Sequence, residues 1–177
     1  EERIKNYCRH SELAVTYTKN EKNSGPAASR NRGIGISSSE YIVFCDSDDW
    51  YEPDLLQIVA QEADESGADL IFYGYYTVMS GKNGENKVPH LLSNTEQKLN
   101  THAALKLPVD SLCSLAVRRE IAASVPAPDI RNGEDMAIIP LMTVAAKRFG
   151  VVNRCLYNYL YRQNSASNSA NGRIVDS

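Results

Sequence analysis

The chain has 177 residues, 42% of which are hydrophobic, and its formal net charge is −3. This length and composition suffice for one hydrophobic core, so we expect a single domain. The acidic balance and the scattered basic residues argue against a nucleic-acid-binding surface, and no apolar run reaches the length of a membrane span.

The four cysteines, Cys8, Cys45, Cys113 and Cys155, lie far apart, and none belongs to a C-x-x-C pair. This spacing argues against a zinc site. Cys45 lies inside an apolar run that predicts a central strand, so we expect buried free thiols in a reducing compartment. No signal peptide opens the sequence. We therefore expect a cytoplasmic protein, with peripheral association at the inner face of the cell membrane as a further option.

The first predicted elements are the end of a helix over residues 1–10, a strand over residues 13–17 and a helix that Gly25 and Pro26 open. Proline is favoured at the first position of a helix because its missing N–H group would lack a partner there in any case. The small residues that follow allow a ligand to approach closely. The free N–H groups of the first turn favour an anion such as a diphosphate.

Residues 41–50 carry the strongest functional signal. They begin with an apolar run that predicts a strand buried on both faces, and three carboxylates, Asp46, Asp48 and Asp49, follow it. In an open α/β sheet, ligands bind at the carboxyl ends of the strands. In an extended chain, Asp46 and Asp48 point to one side and Asp49 to the other.

Two neighbouring carboxylates repel each other unless a cation lies between them. Carboxylate oxygens suit Mg²⁺ or Mn²⁺, which keep several waters and bridge to substrate phosphates. We therefore predict that Asp46 and Asp48 bind a divalent metal ion. The alternative is an acidic loop that caps the next helix, since Pro53 and its acidic neighbours are typical of a helix start. For Asp49 both interpretations remain open.

The apolar periodicity after this segment predicts alternating helices and strands. They are a helix over residues 53–66 that Gly67 ends, a strand over 68–79, a glycine-containing turn over 80–87, a helix over 96–107 and a strand over 112–117.

The last third of the chain begins with a helix that is predicted to run from Glu134 to Phe149, with Met136 and Met142 in the core. Acids at a helix start are stabilised by its N-terminus whatever their function, and this interpretation suffices for Glu134.

Residues 156–162 alternate and predict a strand, with Tyr157, Tyr159 and Tyr161 on one face. A tyrosine stripe can stack on sugars, but for at least two of the three we favour packing within the sheet. Residues 165–177 are rich in Ser and Asn and predict a flexible tail.

Three segments of the sequence together resemble family 2 glycosyltransferases of the GT-A fold. The first comprises residues 25–34 and 40–49, the second is Gly133-Glu134-Asp135-Met136, and the third is Tyr161-Arg162 with Ser165 and Ser167. The likeness extends from about residue 13 to residue 167. Three signatures in the right order and spacing are far more specific than any one of them alone.

The resemblance implies an inverting transferase that uses a nucleoside-diphosphate sugar and Mn²⁺ or Mg²⁺. Asp46-Ser47-Asp48 matches the family's D-x-D motif, in which one acid holds the metal ion on the diphosphate and the other contacts the ribose or the metal. Arg30 matches the arginine of the family's A-R-N segment, which implies contact with the nucleotide or the diphosphate. Ser29 stands where alanine is usual.

The resemblance also implies roles for Asp135 and Arg162. Asp135 would be the general base that takes a proton from the acceptor hydroxyl. Arg162 would reach the diphosphate when the closing segment becomes ordered, with a surface role as the alternative. From the sequence, replacement of Arg30 by alanine is expected to weaken donor binding but to leave the melting temperature nearly unchanged, because an exposed helix arginine contributes little to stability.

The implied fold is an α/β, Rossmann-like GT-A domain over residues 1–164, with a mainly parallel sheet flanked by helices. The family begins with an apolar strand, a helix and a second strand that ends in acids. These are absent from the sequence, so we expect the domain to be incomplete at its N-terminus. The implied reaction transfers sugar, with a UDP-sugar as the leading donor, to a glycan or lipid-linked glycan in bacterial cell-surface or capsular polysaccharide synthesis.

Two other functions remain open from the sequence. A nucleotidyltransferase of similar topology would carry a glycine-rich loop with Lys or Arg at its first strand, a region that this sequence does not contain. A non-catalytic nucleotide- or carbohydrate-binding module would place Asp135 far from the metal-binding acids.

Overall fold

The computed structural model describes residues 2–81, 84–92, 99–128, 130 and 133–162. The helices in these ranges are α1 (Glu2–His10), α2 (Gly25–Ile36), α3 (Leu55–Ser66), α4 (Thr101–Ala104), α5 (Arg119–Ser124) and α6 (Glu134–Ala145). The strands are β1 (Tyr41–Val43), β2 (Trp50–Tyr51), β3 (Leu70–Gly81), β4 (Gly84–His90), β5 (Leu115–Arg118) and β6 (Phe149–Leu160). A short 3₁₀ turn, Leu112–Ser114, precedes β5.

The strands form one sheet in the order β1-β5-β3-β6-β2, and β4 pairs with β3 as a hairpin. The predicted α/β architecture is confirmed, but the sheet is mixed rather than mainly parallel. β3 and β6 pair in parallel, whereas β5 lies antiparallel between β1 and β3. The direction of a short strand depends on how the chain enters it, and an apolar run of four residues does not encode that direction.

The centre of the core is β3. Residues 70–73 are at most 1% exposed, so this strand is covered on both faces, as its continuous apolar run predicts. Burial of each such large side chain contributes about 1.5–3 kcal/mol. α3 packs against β3 and β6, and α5 packs against β1 and β5.

Several predicted elements differ from the structure near their ends. Residues 13–17 form no strand, and Leu13 is 69% exposed. The helix predicted over residues 96–107 is reduced, in its described part, to the single turn of α4. The turn predicted over residues 80–87 is narrower, because β4 already begins at Gly84. The tail predicted over residues 165–177 lies outside the described residues.

The last helix ends four residues earlier than predicted, because Asp69 turns the chain. The Asp69 carboxylate accepts hydrogen bonds from the N–H groups of Lys147 and Arg148 at 2.9 and 3.1 Å. Phe149 therefore begins β6 instead of ending α6. Met136, predicted to lie in the core, is 64% exposed, whereas Met142 is fully buried as predicted.

The four cysteines are free, and Cys113 and Cys155 are buried as predicted. Burial raises the pKa of the Cys113 thiol to about 12, so it stays protonated and unreactive. Cys45 is exposed, contrary to prediction, because β1 ends at Val43 and Cys45 follows it in a loop.

The tyrosine stripe of β6 packs as predicted for two of its members. Tyr157 is 3% exposed, and Tyr159 is partly buried against the core. Tyr161 follows the strand and is 42% exposed. In the described part of the chain, no helix is long and apolar enough to cross a membrane.

The pairing of β3 with β6 shifts register at Gly74, which lies opposite Cys155. A Cβ atom at Gly74 would lie 2.5 Å from the carbonyl oxygen of His90 and 3.2 Å from the sulfur of Cys155. Such bulges re-aim the side chains that follow them, and Tyr157 is the next residue of β6 to pair with β3.

We expect Gly74→Ala to lower the free energy of unfolding by about 1–3 kcal/mol, because the methyl group meets backbone atoms that cannot move aside. Denaturant unfolding monitored by circular dichroism measures this change. Gly33→Ala in α2 is the control, since no atom lies within 4 Å of the Cβ position there and alanine is favoured in a helix. Equal stability of the Gly74 variant and the wild type would mean that the close contact is not present.

Candidate functional site

Arg30 joins two acidic segments that lie far apart in the sequence. One guanidinium nitrogen, Nη1, donates to Glu134 Oε1 at 2.6 Å and to Asp135 Oδ1 at 2.8 Å. The other, Nη2, donates to Asp46 Oδ1 at 3.1 Å. The Arg30 side chain is only 12% exposed, so the alternative interpretation, a solvent-facing arginine, is wrong.

Glu134 and Asp135 reach Arg30 because they form the first turn of α6. Gly133 precedes them with φ of 81°, a left-handed conformation that favours glycine. Asp135 is held through both of its oxygens, because Oδ2 also accepts a hydrogen bond from the N–H group of Leu112 at 3.1 Å. The positive end of the helix dipole adds to this stabilisation.

The electrostatic environment of Asp135 suits a general base. Burial raises the pKa of its carboxyl, while the charge of Arg30 and the hydrogen bond from Leu112 act to lower it. Burial acts to lower the pKa of Arg30, but Asp135, Asp46 and Glu134 raise it, with a net upward shift. A carboxylate of raised pKa beside a permanent cation can be ionised and still accept a proton.

Residues 46–49 form a turn between β1 and β2, which we call the acidic turn. The N–H group of Asp49 donates to the carbonyl oxygen of Asp46 at 3.2 Å. The alternation expected for an extended chain is therefore wrong here. The carboxylates of Asp46 and Asp48 are 50% and 36% exposed, so both are open to a ligand.

Asp49 has a different role from its two neighbours. Its Oδ2 accepts a hydrogen bond from the Tyr157 hydroxyl at 2.5 Å, and its Oδ1 accepts one from the N–H group of Leu160 at 2.8 Å. The helix-cap interpretation is wrong for this residue, because the N-cap of α3 is Asp54. Burial raises the pKa of Asp49, and the two hydrogen bonds oppose that rise.

Arg162 reaches the acidic turn from the end of β6. Its Nε lies 3.7 Å from Asp48 Oδ2, and its side chain is 56% exposed. The structure therefore brings all five of the predicted site residues into one region. Arg30 connects Asp46 with Asp135, and Arg162 faces Asp48. The sequence did not predict the ion pair between Glu134 and Arg30 or the hydrogen bond from Tyr157 to Asp49.

The site carries five carboxylates and two guanidinium groups in the described part of the chain. Its excess negative charge favours a cation. No group of three or more His, Cys, Asp or Glu side chains that could hold a metal ion lies in the described ranges. The exposed pair Asp46 and Asp48 could therefore hold Mg²⁺ or Mn²⁺ only together with waters and substrate phosphates.

Two cavities involve α2. One of about 710 Å³ is lined by residues 22–28 and Ile130, at the N-terminus of α2 where an anion was predicted to bind. The other, of about 360 Å³, is lined by Arg30, other residues of α2, residues of the loop that follows it, β1 and Phe44. Neither is lined by residues of the acidic turn.

Comparisons with known proteins agree with the family resemblance that the sequence shows. The model of the family described as Glycosyl transferase family 2 matches residues 1–125. TuaG of Bacillus subtilis, a glycosyltransferase whose name ties it to teichuronic acid biosynthesis, is 27% identical over 84% of this chain. GgaB of the same organism, named as a minor teichoic acid biosynthesis protein, is 23% identical over 92% of the chain.

The fold also matches that of a solved structure. S. aureus TarS, residues 1–349, in complex with UDP-GlcNAc, superposes with a TM-score of 0.73 over 95% of this chain at 22% identity. The chain spans 58% of TuaG, 18% of GgaB and 48% of the TarS chain. It therefore corresponds to less than three fifths of each of these chains.

We expect Arg30→Ala to lower the free energy of unfolding by about 1.5–3 kcal/mol, because buried carboxylates lose a charged hydrogen-bond partner. This reverses the expectation from the sequence that the melting temperature stays unchanged. Thermal unfolding checks it, with Arg32→Ala as the control, since Arg32 bonds only to Lys19 and Asn20 in the described structure. Equal melting temperatures for the two variants would show that the Arg30 ion pairs do not form.

Proposed function

The chain belongs to glycosyl transferase family 2, and we propose that it transfers a sugar from a nucleoside-diphosphate donor to a hydroxyl acceptor with inversion. Asp46 and Asp48 would hold the donor through a divalent ion, and Asp135 would be the general base. Arg30 and Arg162 are the cations nearest to these groups in the described structure.

One observation carries this proposal: Asp135 and Asp46 share the guanidinium of Arg30. A base must lie close to the place where the donor is held, because the acceptor hydroxyl attacks the anomeric carbon next to the diphosphate. A binding module without turnover has no need of a buried acid beside its metal-binding turn. The shared arginine therefore supports an enzyme over such a module. Membership of the family disfavours a nucleotidyltransferase.

The acidic turn supplies the donor-binding half of the mechanism. Mg²⁺ or Mn²⁺ bound by Asp46 and Asp48 would neutralise charge on the departing nucleoside diphosphate. The exposed guanidinium of Arg162 lies on the same side of the turn as Asp48 and can contact the diphosphate. The first turn of α2 lines the larger of the two cavities and would offer a further anion site.

In the proposed mechanism, Asp135 activates the acceptor. A sugar hydroxyl is a poor nucleophile until a base removes its proton, and Asp135 Oδ1 or Oδ2 would receive that proton as the oxygen attacks. Arg30 orients the carboxylate and keeps it ionised before the reaction. Attack from the side opposite the leaving diphosphate inverts the anomeric carbon in a single displacement.

The relatives suggest the donor and the acceptor class. TarS binds UDP-GlcNAc, so we propose a UDP-sugar as the donor. The names of TuaG and GgaB refer to teichuronic and teichoic acids, so we propose a glycan or lipid-linked glycan acceptor in bacterial cell-surface polysaccharide synthesis. This placement also implies a cytoplasmic protein that works at the inner face of the membrane.

We expect the protein to bind UDP with Mn²⁺ and to bind it far more weakly in EDTA, because the carboxylates of the acidic turn repel a bare diphosphate. Titration calorimetry measures both affinities. Asp48→Ala should remove most of the Mn²⁺-dependent affinity. Asp64→Ala is the control, since it removes the same charge from an exposed position on α3. Equal affinity for UDP in Mn²⁺ and in EDTA would contradict the metal role.

We expect Asp135→Asn to lower turnover by about 10²–10⁴-fold with little change in UDP affinity, because asparagine keeps the shape but cannot accept a proton. Release of UDP from a UDP-sugar in the presence of acceptor measures turnover.

The matched control is Glu134→Gln, which removes the neighbouring carboxylate from the same guanidinium at 2.6 Å. It should lose far less turnover, because Glu134 is not assigned to proton transfer. If both variants lose turnover equally, the loss comes from the ion pair with Arg30, and Asp135 is not the base.

A further inference from the structure

We propose that Tyr157 and Asp49 are positioning residues for the donor. They would hold the acidic turn on β6 in the one conformation in which Asp46 and Asp48 can bind the metal ion and diphosphate together. This inference rests on the proposed function and adds to it two residues that do not themselves touch the donor.

The hydroxyl of Tyr157 joins both ends of the acidic turn. It donates a hydrogen bond to Asp49 Oδ2 at 2.5 Å and accepts one from the N–H group of Asp46 at 3.2 Å. Together with the hydrogen bond from the Asp49 N–H group to the Asp46 carbonyl, this fixes the first and last residues of the turn relative to β6.

A second attachment lies three residues further along β6. The N–H group of Leu160 donates to Asp49 Oδ1 at 2.8 Å, so both oxygens of Asp49 are used within the protein. The chain after the turn is held as well, because the side-chain amide of Asn158 donates to the carbonyl oxygen of Trp50 at 3.3 Å and to Glu52 Oε1 at 3.0 Å.

Burial separates the residues that hold the turn from those that would bind the ligand. Tyr157 is 3% exposed and Asn158 is fully buried, whereas the side chains of Asp46 and Asp48 are 50% and 36% exposed. Three acids in one turn would otherwise compete for the same cation. Both oxygens of Asp49 bond to Tyr157 and Leu160. Asp46 and Asp48 each contact an arginine through one oxygen and, being exposed, are the acids that a metal ion can reach.

The consequence for binding is pre-organisation. A metal–diphosphate unit is held well only if two carboxylates already lie in the right geometry, and a turn that must first be ordered binds more weakly. The hydrogen bond from Tyr157 ends on a charged carboxylate, so its loss corresponds to about a 10- to 150-fold change in an equilibrium constant. Both attachments end on the Asp49 carboxylate, so Tyr157→Phe removes the first and Asp49→Ala removes both.

The test is UDP titration in Mn²⁺ with Tyr157→Phe, combined with donor kinetics. We expect UDP affinity to fall about 10- to 150-fold and the donor KM to rise by the same factor, with kcat at saturating donor nearly unchanged. A purely structural role for the hydroxyl would lower the melting temperature without changing KM.

A further tyrosine is a matched control that loses the same atom. The Tyr73 hydroxyl donates to the carbonyl oxygen of Leu115 inside the core. Tyr73→Phe should leave UDP affinity and donor KM unchanged.

A second pair of variants keeps the inference testable if Tyr157→Phe fails to fold. Asp49→Asn keeps one acceptor for the Leu160 N–H group and should lose less UDP affinity than Asp49→Ala. If the wild type binds UDP with Mn²⁺ and the variants at Tyr157 and Asp49 bind it equally well, the inference is wrong but the proposed function is not contradicted. If the wild type does not bind UDP with Mn²⁺, the proposed function is overturned with it.

Discussion

The guanidinium of Arg30 is the cation on which the site depends, because it is shared by carboxylates from two distant segments. Glu134 and Asp135 at the start of α6 and Asp46 in the acidic turn all bond to it. Without it these groups would repel one another. The planar guanidinium stays charged at any working pH and presents its two terminal nitrogens in fixed positions, whereas a lysine ammonium is a single point charge. The arginine thereby sets the distance between the acid that would hold the donor and the acid that would activate the acceptor.

β6 is the second support of the site. It pairs in parallel with β3, the centre of the core, and its last third contacts the acidic turn through Tyr157 and Leu160. The register shift at Gly74 sets which residues of β6 face that turn. The acidic turn thus lies between a helix arginine on one side and a buried strand on the other. Its exposed carboxylates need no further ordering before a ligand arrives, a property that favours tight binding of a metal–diphosphate unit.

The sequence predicts the local features of this protein well and its long-range contacts poorly. The start of α2 at Gly25, the end of α3 at Gly67 and the position of Asp135 at a helix start all follow from patterns within a few residues. Two of the three carboxylates that bond to Arg30 lie 104 and 105 residues away, and no periodicity indicates them. The alternation of β6 correctly places Tyr157 in the sheet, but it does not show that its hydroxyl meets Asp49. Likewise, α6 ends where Asp69 binds the chain, a contact across 78 residues.

A double-mutant cycle between Arg30 and Asp135 tests the central claim most directly, namely that one arginine couples the base to the rest of the site. Arg30→Ala, Asp135→Asn and the double variant would be unfolded in denaturant, with Arg32→Ala and Asp135→Asn as the parallel cycle. The account predicts a coupling free energy of about 0.5–3 kcal/mol for Arg30 with Asp135 and additive effects for Arg32 with Asp135. Additive effects in the first cycle would contradict it.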